Sequence, residues 1–133
     1  MSKTDLTHLL NHLSPELNSE PFVMVTIPKD DVAHLIDFSI AMVREDEGIT
    51  LVLPECIATD HGLPHDNVFK LISLRVESDL LAVGLTAAFA TELAKHDIPA
   101  NVLAGFYHDH LLVPDFMSEM ALDVLNNLSK LSR

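Results

Sequence analysis

The chain has 133 residues, 48% of them hydrophobic, and 20 acidic against 8 basic side chains, for a formal net charge of −12. That length can bury one core but not two large independent ones, and the acidic balance, with no basic stripe for phosphates, argues against DNA or RNA as a partner. A single cysteine, Cys56, rules out an intrachain disulfide and a CxxC metal site.

In chain order, LTHLL at Leu6 to Leu10 reads as a helix and FVMVTI at Phe22 to Ile27 as a strand. Both align with the second half, LTAAF at Leu85 to Phe89 and NVLAGF at Asn101 to Phe106, at one offset of 79. TLVLP at Thr50 to Pro54 parallels HLLVP at His110 to Pro114 at an offset of 60, so the first copy holds 19 extra residues between its two strands. This insertion, near 28–48, includes Phe38 to Val43, predicted as an added strand. It ends in Arg44, Glu45, Asp46, Glu47 and Gly48, predicted as a solvated hairpin tip with Gly48 at positive φ. Glu55 to Leu63 predicts a short helix in which Cys56 is expected to be buried, and Gly62, Pro64 and Asp66 mark a junction.

In the second half, Phe69 to Val76 alternates as a strand does. Ser78 or Asp79 is then placed to accept hydrogen bonds from the free amides of a following helix. Leu85, Ala88, Phe89 and Leu93 recur at helical spacing over Leu85 to Ala94. Val102 to Phe106 and Leu111 to Val113 predict two strands around a very short turn at His108 and Asp109. Met117, Met120, Ala121, Val124, Leu125, Leu128 and Leu131 form the apolar stripe of a last helix. The order βαββα lacks one strand of the ferredoxin-like βαββαβ arrangement, and a strand shared or exchanged between lobes would supply it. The predicted class is α+β: two related ferredoxin-like lobes, 1–66 and 67–133, each with an antiparallel sheet and helices on one face.

The densest polar constellation is YHDH, Tyr107 to His110. His108, Asp109 and His110 admit a metal site, an acid–base site or a hydrogen-bonded turn; on a continuous strand the two histidines would share a face with Asp109 opposite. Gly84 stands at a loop-to-helix junction, where a missing Cβ lets an anionic group approach backbone amides at the positive end of the helix, and where close helix packing would equally favour glycine. Ser78 and Thr86 can contact an amino or carboxylate group, or simply cap and face solvent. His8, His12, His34 and His96 are expected at exposed positions. No GxSxG, HExxH, Walker or Rossmann pattern is present. The longest apolar stretch, Leu80 to Ala90, is interrupted by Gly84 and Thr86 and too short to span a bilayer, so a soluble, cytoplasmic protein is expected.

REDEGITLVL at Arg44 to Leu53, SDLLAVGLTAAFATELA at Ser78 to Ala94 and NVLAGFYHDHLLVP at Asn101 to Pro114 resemble small bacterial proteins built from two ACT-like domains. The last two segments are similar to the amino-acid-sensing domains of aspartate kinases, in which a Tyr and an Asp precede an Ile/Leu-Leu-Val strand, as Tyr107, Asp109, Leu111, Leu112 and Val113 do here. The resemblance implies a non-enzymatic, ligand-binding regulatory module that forms a homodimer or higher oligomer. Its implied site lies near the loop Glu77 to Thr86, with Ser78, Asp79, Gly84, Leu85, Thr86, Tyr107, His108, Asp109 and His110 as ligand-binding residues. The expected partner is a small polar metabolite of the amino-acid class, with no catalytic residue, metal or cofactor. The alternatives are a small metal-dependent or hydrolytic enzyme centred on YHDH and a ligand-free structural adaptor.

Overall fold

The computed structural model describes residues 4–132. Its elements in chain order are α1 (Leu6–Asn11), β1 (Pro15–Ile27), β2 (Ala41–Glu45), β3 (Gly48–Pro54), α2 (Glu55–Asp60), β4 (Phe69–Leu74), α3 (Leu85–Lys95), β5 (Asn101–Ala104), β6 (Asp109–Pro114) and α4 (Ser118–Leu131). Single 3-10 turns at Lys29–Asp31, Ile36–Phe38 and Asp115–Met117 join them. By packing, residues 4–19 group with 70–132 in one compact unit, and 20–69 form the other.

In the first unit, alternation on the strands and a spacing of four on the helix select one core. Ile72 and Leu74 of β4 and Leu111 and Val113 of β6 bury the same face, and Leu85, Phe89 and Leu93 of α3 pack on it with Ala121, Val124 and Leu125 of α4. Leu9 and Leu13, from α1 and just after it, complete that core. The strands run in the order β1-β4-β6-β5, the order of a ferredoxin-like sheet, with β1 in the place that the βαββα unit leaves vacant. Asp97 stops α3 at a φ of 57°, and the Ile98 amide reaches back to the Leu93 carbonyl at 3.1 Å.

In the second unit, β2-β3-β1 pair antiparallel, with Val25 opposite Leu51 and Val43 opposite Thr50. Val23, Val25, Ile27, Ile49, Leu51 and Leu53 form its core with Leu35 and Ala58. β1 stands to β3 as β5 stands to β6, and β2 takes the flank of β3 that β4 takes on β6. The inserted segment thus supplies an edge strand.

Four local expectations are corrected. The added strand spans Ala41–Glu45 rather than Phe38 to Val43, because Ile36–Phe38 closes a turn sealed by the Ser39 hydroxyl on the Ile36 carbonyl at 2.9 Å. Cys56 is exposed, since α2 buries only Ala58. His8 is half-buried rather than exposed. The β5–β6 turn is not at His108 and Asp109: Asp109 already pairs with Ala104, and Gly105 donates to the His108 carbonyl at 2.9 Å, leaving Phe106 and Tyr107 at the tip.

A Cβ on Gly105 would lie 2.7 Å from the His108 carbonyl oxygen, a backbone atom with little freedom to retreat. Gly105→Ala is therefore expected to destabilise the protein by about 1–3 kcal/mol, read as a lower urea midpoint with an unchanged denaturant slope.

Candidate functional site

β4 ends against the core at Leu74, and the chain then makes an exposed loop before α3. Asp79 builds that loop locally: its Oδ1 accepts from the Leu81 amide at 2.8 Å and its carbonyl from the Ala82 amide at 2.9 Å. Contrary to the expectation that Ser78 or Asp79 caps the helix, neither caps α3. The N-cap is Gly84, at a φ of 100°, which has no side chain to offer the first-turn amides. That positive φ suits glycine, and the uncapped helix start presents amide donors and the positive end of the helix dipole.

The loop is tied to the β5–β6 hairpin at two points. The Ser78 amide donates to the Tyr107 carbonyl at 3.4 Å, and His108 Nδ1 lies 3.3 Å from the Val76 carbonyl, to which it donates. Two clefts result. One, of about 300 Å³, is lined by Glu77, Ser78, Asp79, Leu80, Phe106 and Tyr107. The other, of about 110 Å³, lies at the start of α3 and is lined by Ser78, Asp79, Leu80, Ala82, Leu85, Thr86, Ala104 and Asp109. Ser78, Asp79 and Leu80 border both.

Of the residues named from sequence, Ser78, Asp79, Leu85, Thr86 and Asp109 surround the smaller cleft, and Tyr107 lines the larger with Ser78 and Asp79. Gly84 shapes the entry to α3 without lining either. His108 and His110 line neither cleft. Alternation along β6 puts Asp109 on the helix side with Leu111 and Val113, and turns His110 to the opposite face. There His110 Nδ1 lies 2.8 Å from Ser73 Oγ on β4. The His108 and His110 rings stand 6.4 Å apart.

Burial pushes the Asp109 carboxyl above the usual aspartate range, an effect that the nearby His110 opposes. Burial pushes the His110 imidazole below the usual histidine range, reinforced by His108 and Arg75 and opposed by Asp109. The smaller cleft therefore sets the first turn of α3 beside two aspartates, Asp79, whose Oδ1 accepts from the Leu81 amide, and Asp109, whose carboxylate is costly to bury, a setting that suits an anionic group at the helix start and a cationic one at Asp109. Glu77, Leu80, Ala82, Ala104 and Phe106 line the clefts but were not among the residues named from sequence, and neither was Ser73 as the His110 partner. Ser73 lay on the polar side of the β4 alternation, but its neighbour follows only from the strand order.

Models of the ACT domain match residues 2–70 and residues 69–127. A protein of unknown function from Vibrio cholerae, described as a possible transport protein, is similar over 95% of this chain and 97% of its own, at 44% identity and a TM-score of 0.84. A protein from Agrobacterium tumefaciens covers 86% of this chain and 87% of its own at 16% identity and a TM-score of 0.69. The ligand-free regulatory subunit of aspartate kinase from Thermus thermophilus covers 88% and 97% at 10% identity and a TM-score of 0.60. These last two likenesses are of fold alone. No curated protein matches the chain. With two family matches along its length and the ferredoxin-like strand order, the chain belongs to the ACT domain family of ligand-binding regulatory modules and carries two such domains in tandem.

Proposed function

We propose that this protein is a non-catalytic, cytoplasmic sensor of a small zwitterionic metabolite of the amino-acid class. The observation that carries this reading is the cleft at the start of α3, which Leu85 and Thr86 of the first turn, N-capped by Gly84, line together with Asp109. The metabolite's carboxylate sits at the amides of the first turn, its ammonium pairs with Asp109, and Ser78, Asp79 and Thr86 border it. Gly84, whose missing Cβ makes room for the Leu6 side chain and whose φ is 100°, sets the start of the helix, and Tyr107 on the hairpin closes the adjoining cleft. His108 and His110 act from behind, holding the hairpin and β6 against β4. With the chain divided at 1–66 and 67–133, as its internal duplication suggests, this site belongs to the second copy.

The output is ligand-linked association of two copies, with binding shifting the equilibrium by its differential affinity for the two arrangements. Supporting this are apolar side chains beside the clefts: Leu81 and Val83 are 83% exposed and Phe106 75%, an unusual surface for a monomer. No helix among the described residues is long and apolar enough to cross a membrane.

A thermal-shift screen of the twenty amino acids at millimolar concentration is expected to find at least one that raises the melting temperature. Asp109→Asn should weaken that ligand roughly ten- to a hundredfold, the scale of one lost charged hydrogen bond. Absence of any reproducible stabilisation would overturn the reading.

Asp109 also carries a pH signature in the free protein. Its folded-state pKa lies above the ordinary 3.8 because of burial, so the protonated form favours folding. That contribution is complete below the unfolded pKa and is lost as pH rises through the folded one. Asp109→Asn, neutral throughout, should melt higher than wild type at pH 7.5 without ligand, and the difference should vanish below about pH 4. Melting curves of both proteins across this range test the assignment.

A further inference from the structure

α1 carries an arrangement that the sensing site does not use. His8 and His12 stand one helical turn apart with ring centroids 4.3 Å from each other and planes tilted by 34°. His12 Nδ1 lies 2.9 Å from the His8 carbonyl oxygen. A carbonyl only accepts, so this nitrogen carries the proton, and the Nε2 of neutral His12 is a bare lone pair. His8 Nδ1 is buried without a hydrogen-bond partner, and so is Asn11 Oδ1, three residues further along the same short helix. Residues three apart on a helix are surface neighbours. A rotation of the Asn11 amide therefore lets His8 Nδ1–H donate to Asn11 Oδ1, removing two orphaned polar atoms at once. His8 is then also fixed in the tautomer whose Nε2 is a lone pair.

With His12 Nδ1–H on the His8 carbonyl and, after that rotation of Asn11, His8 Nδ1–H on Asn11 Oδ1, the two imidazoles at i and i+4 would have the outer hydrogen bonding that metal-ligating histidines use. Imidazole nitrogen suits copper, nickel and zinc rather than magnesium or calcium. We propose that His8 and His12 form a two-imidazole chelate for a divalent transition-metal ion, with Asn11 as the positioning residue. Water completes the coordination, since no three His, Cys, Asp or Glu side chains gather as a metal cluster among the described residues. The ion clips α1, whose six residues are too few to hold a helix alone. Leu9 and Leu13 then dock that clipped turn into the core of α3 and α4. The other two histidine pairs are wider, with ring centroids 5.9 Å apart for His34 and His61 and 6.4 Å for His108 and His110.

The test is a titration of the full chain with Cu²⁺, followed by calorimetry and by the nitrogen hyperfine pattern in electron paramagnetic resonance. One ion per chain with two imidazole nitrogens is expected. His8→Gln and His12→Gln should each weaken binding at least tenfold and leave a single nitrogen in the spectrum. Asn11→Ala should weaken it severalfold at unchanged stoichiometry, and Asn11→Asp, which keeps the acceptor, should restore it. The His34→Gln/His61→Gln double variant should bind as wild type does. Equal affinity in wild type and the His8→Gln/His12→Gln double variant, or loss of the site in the His34→Gln/His61→Gln variant, overturns the proposal. His12 is exposed, so should the half-buried His8→Gln fail to fold, His12→Gln alone decides.

Discussion

The carbonyl oxygen of His108 accepts the Gly105 amide at 2.9 Å and occupies the space where a Cβ would stand, and this closure fixes the register of the β5–β6 hairpin. With Ala104 opposite Asp109 and Leu103 opposite His110, side-chain alternation sends the carboxylate to the helix face and the imidazole to the other. A slip of one residue would exchange them. The cleft at α3 would then hold an imidazole, and the face bearing Ser73 a carboxylate. The sign of the charge beside the helix start is thus set by a turn whose tip lies outside the smaller cleft.

The other wall of the site is held differently. Of the residues from Glu77 to Val83, only Ser78 and Ala82 are half-buried, and Leu80, Leu81 and Val83 are largely exposed. The segment keeps its shape through the Asp79 turn and the two ties to the hairpin, not through core packing. Segments of that kind open at a lower free energy than the strands they join. Ordering one wall against a register-locked other wall is how a bound solute would gain differential affinity for one arrangement.

The amphipathic elements were legible because a single periodicity governs each: α3 and α4 bury one stripe, and β4 and β6 one face. β1 was seen only from Phe22 onward, where its alignment with the second copy begins. The structure nevertheless extends the strand back to Pro15, and that early segment fills the place that the βαββα order left open. The turn was misplaced at His108 and Asp109 because their polarity outweighed Gly105, the one residue there whose missing Cβ the fold requires. The loop and hairpin that form the clefts were legible as a region. Which of their side chains face the cavity was not, because that depends on strand neighbours and on a register that local pattern leaves undetermined.

The two copies of the duplication treat their helix starts in opposite ways. At the offset of 79 that aligns LTHLL with LTAAF, Asp5 corresponds to Gly84, and both are N-caps. Asp5 places its own carboxylate on the Thr7 and His8 amides, at 3.1 and 3.4 Å; Gly84 offers no side chain to the equivalent donors. A helix start whose donors are satisfied from within has little left for an anion, whereas an uncapped one facing a cleft retains its full preference for negative charge. One cap residue therefore makes the first helix start self-sufficient and leaves the donors of the second without a cap side chain.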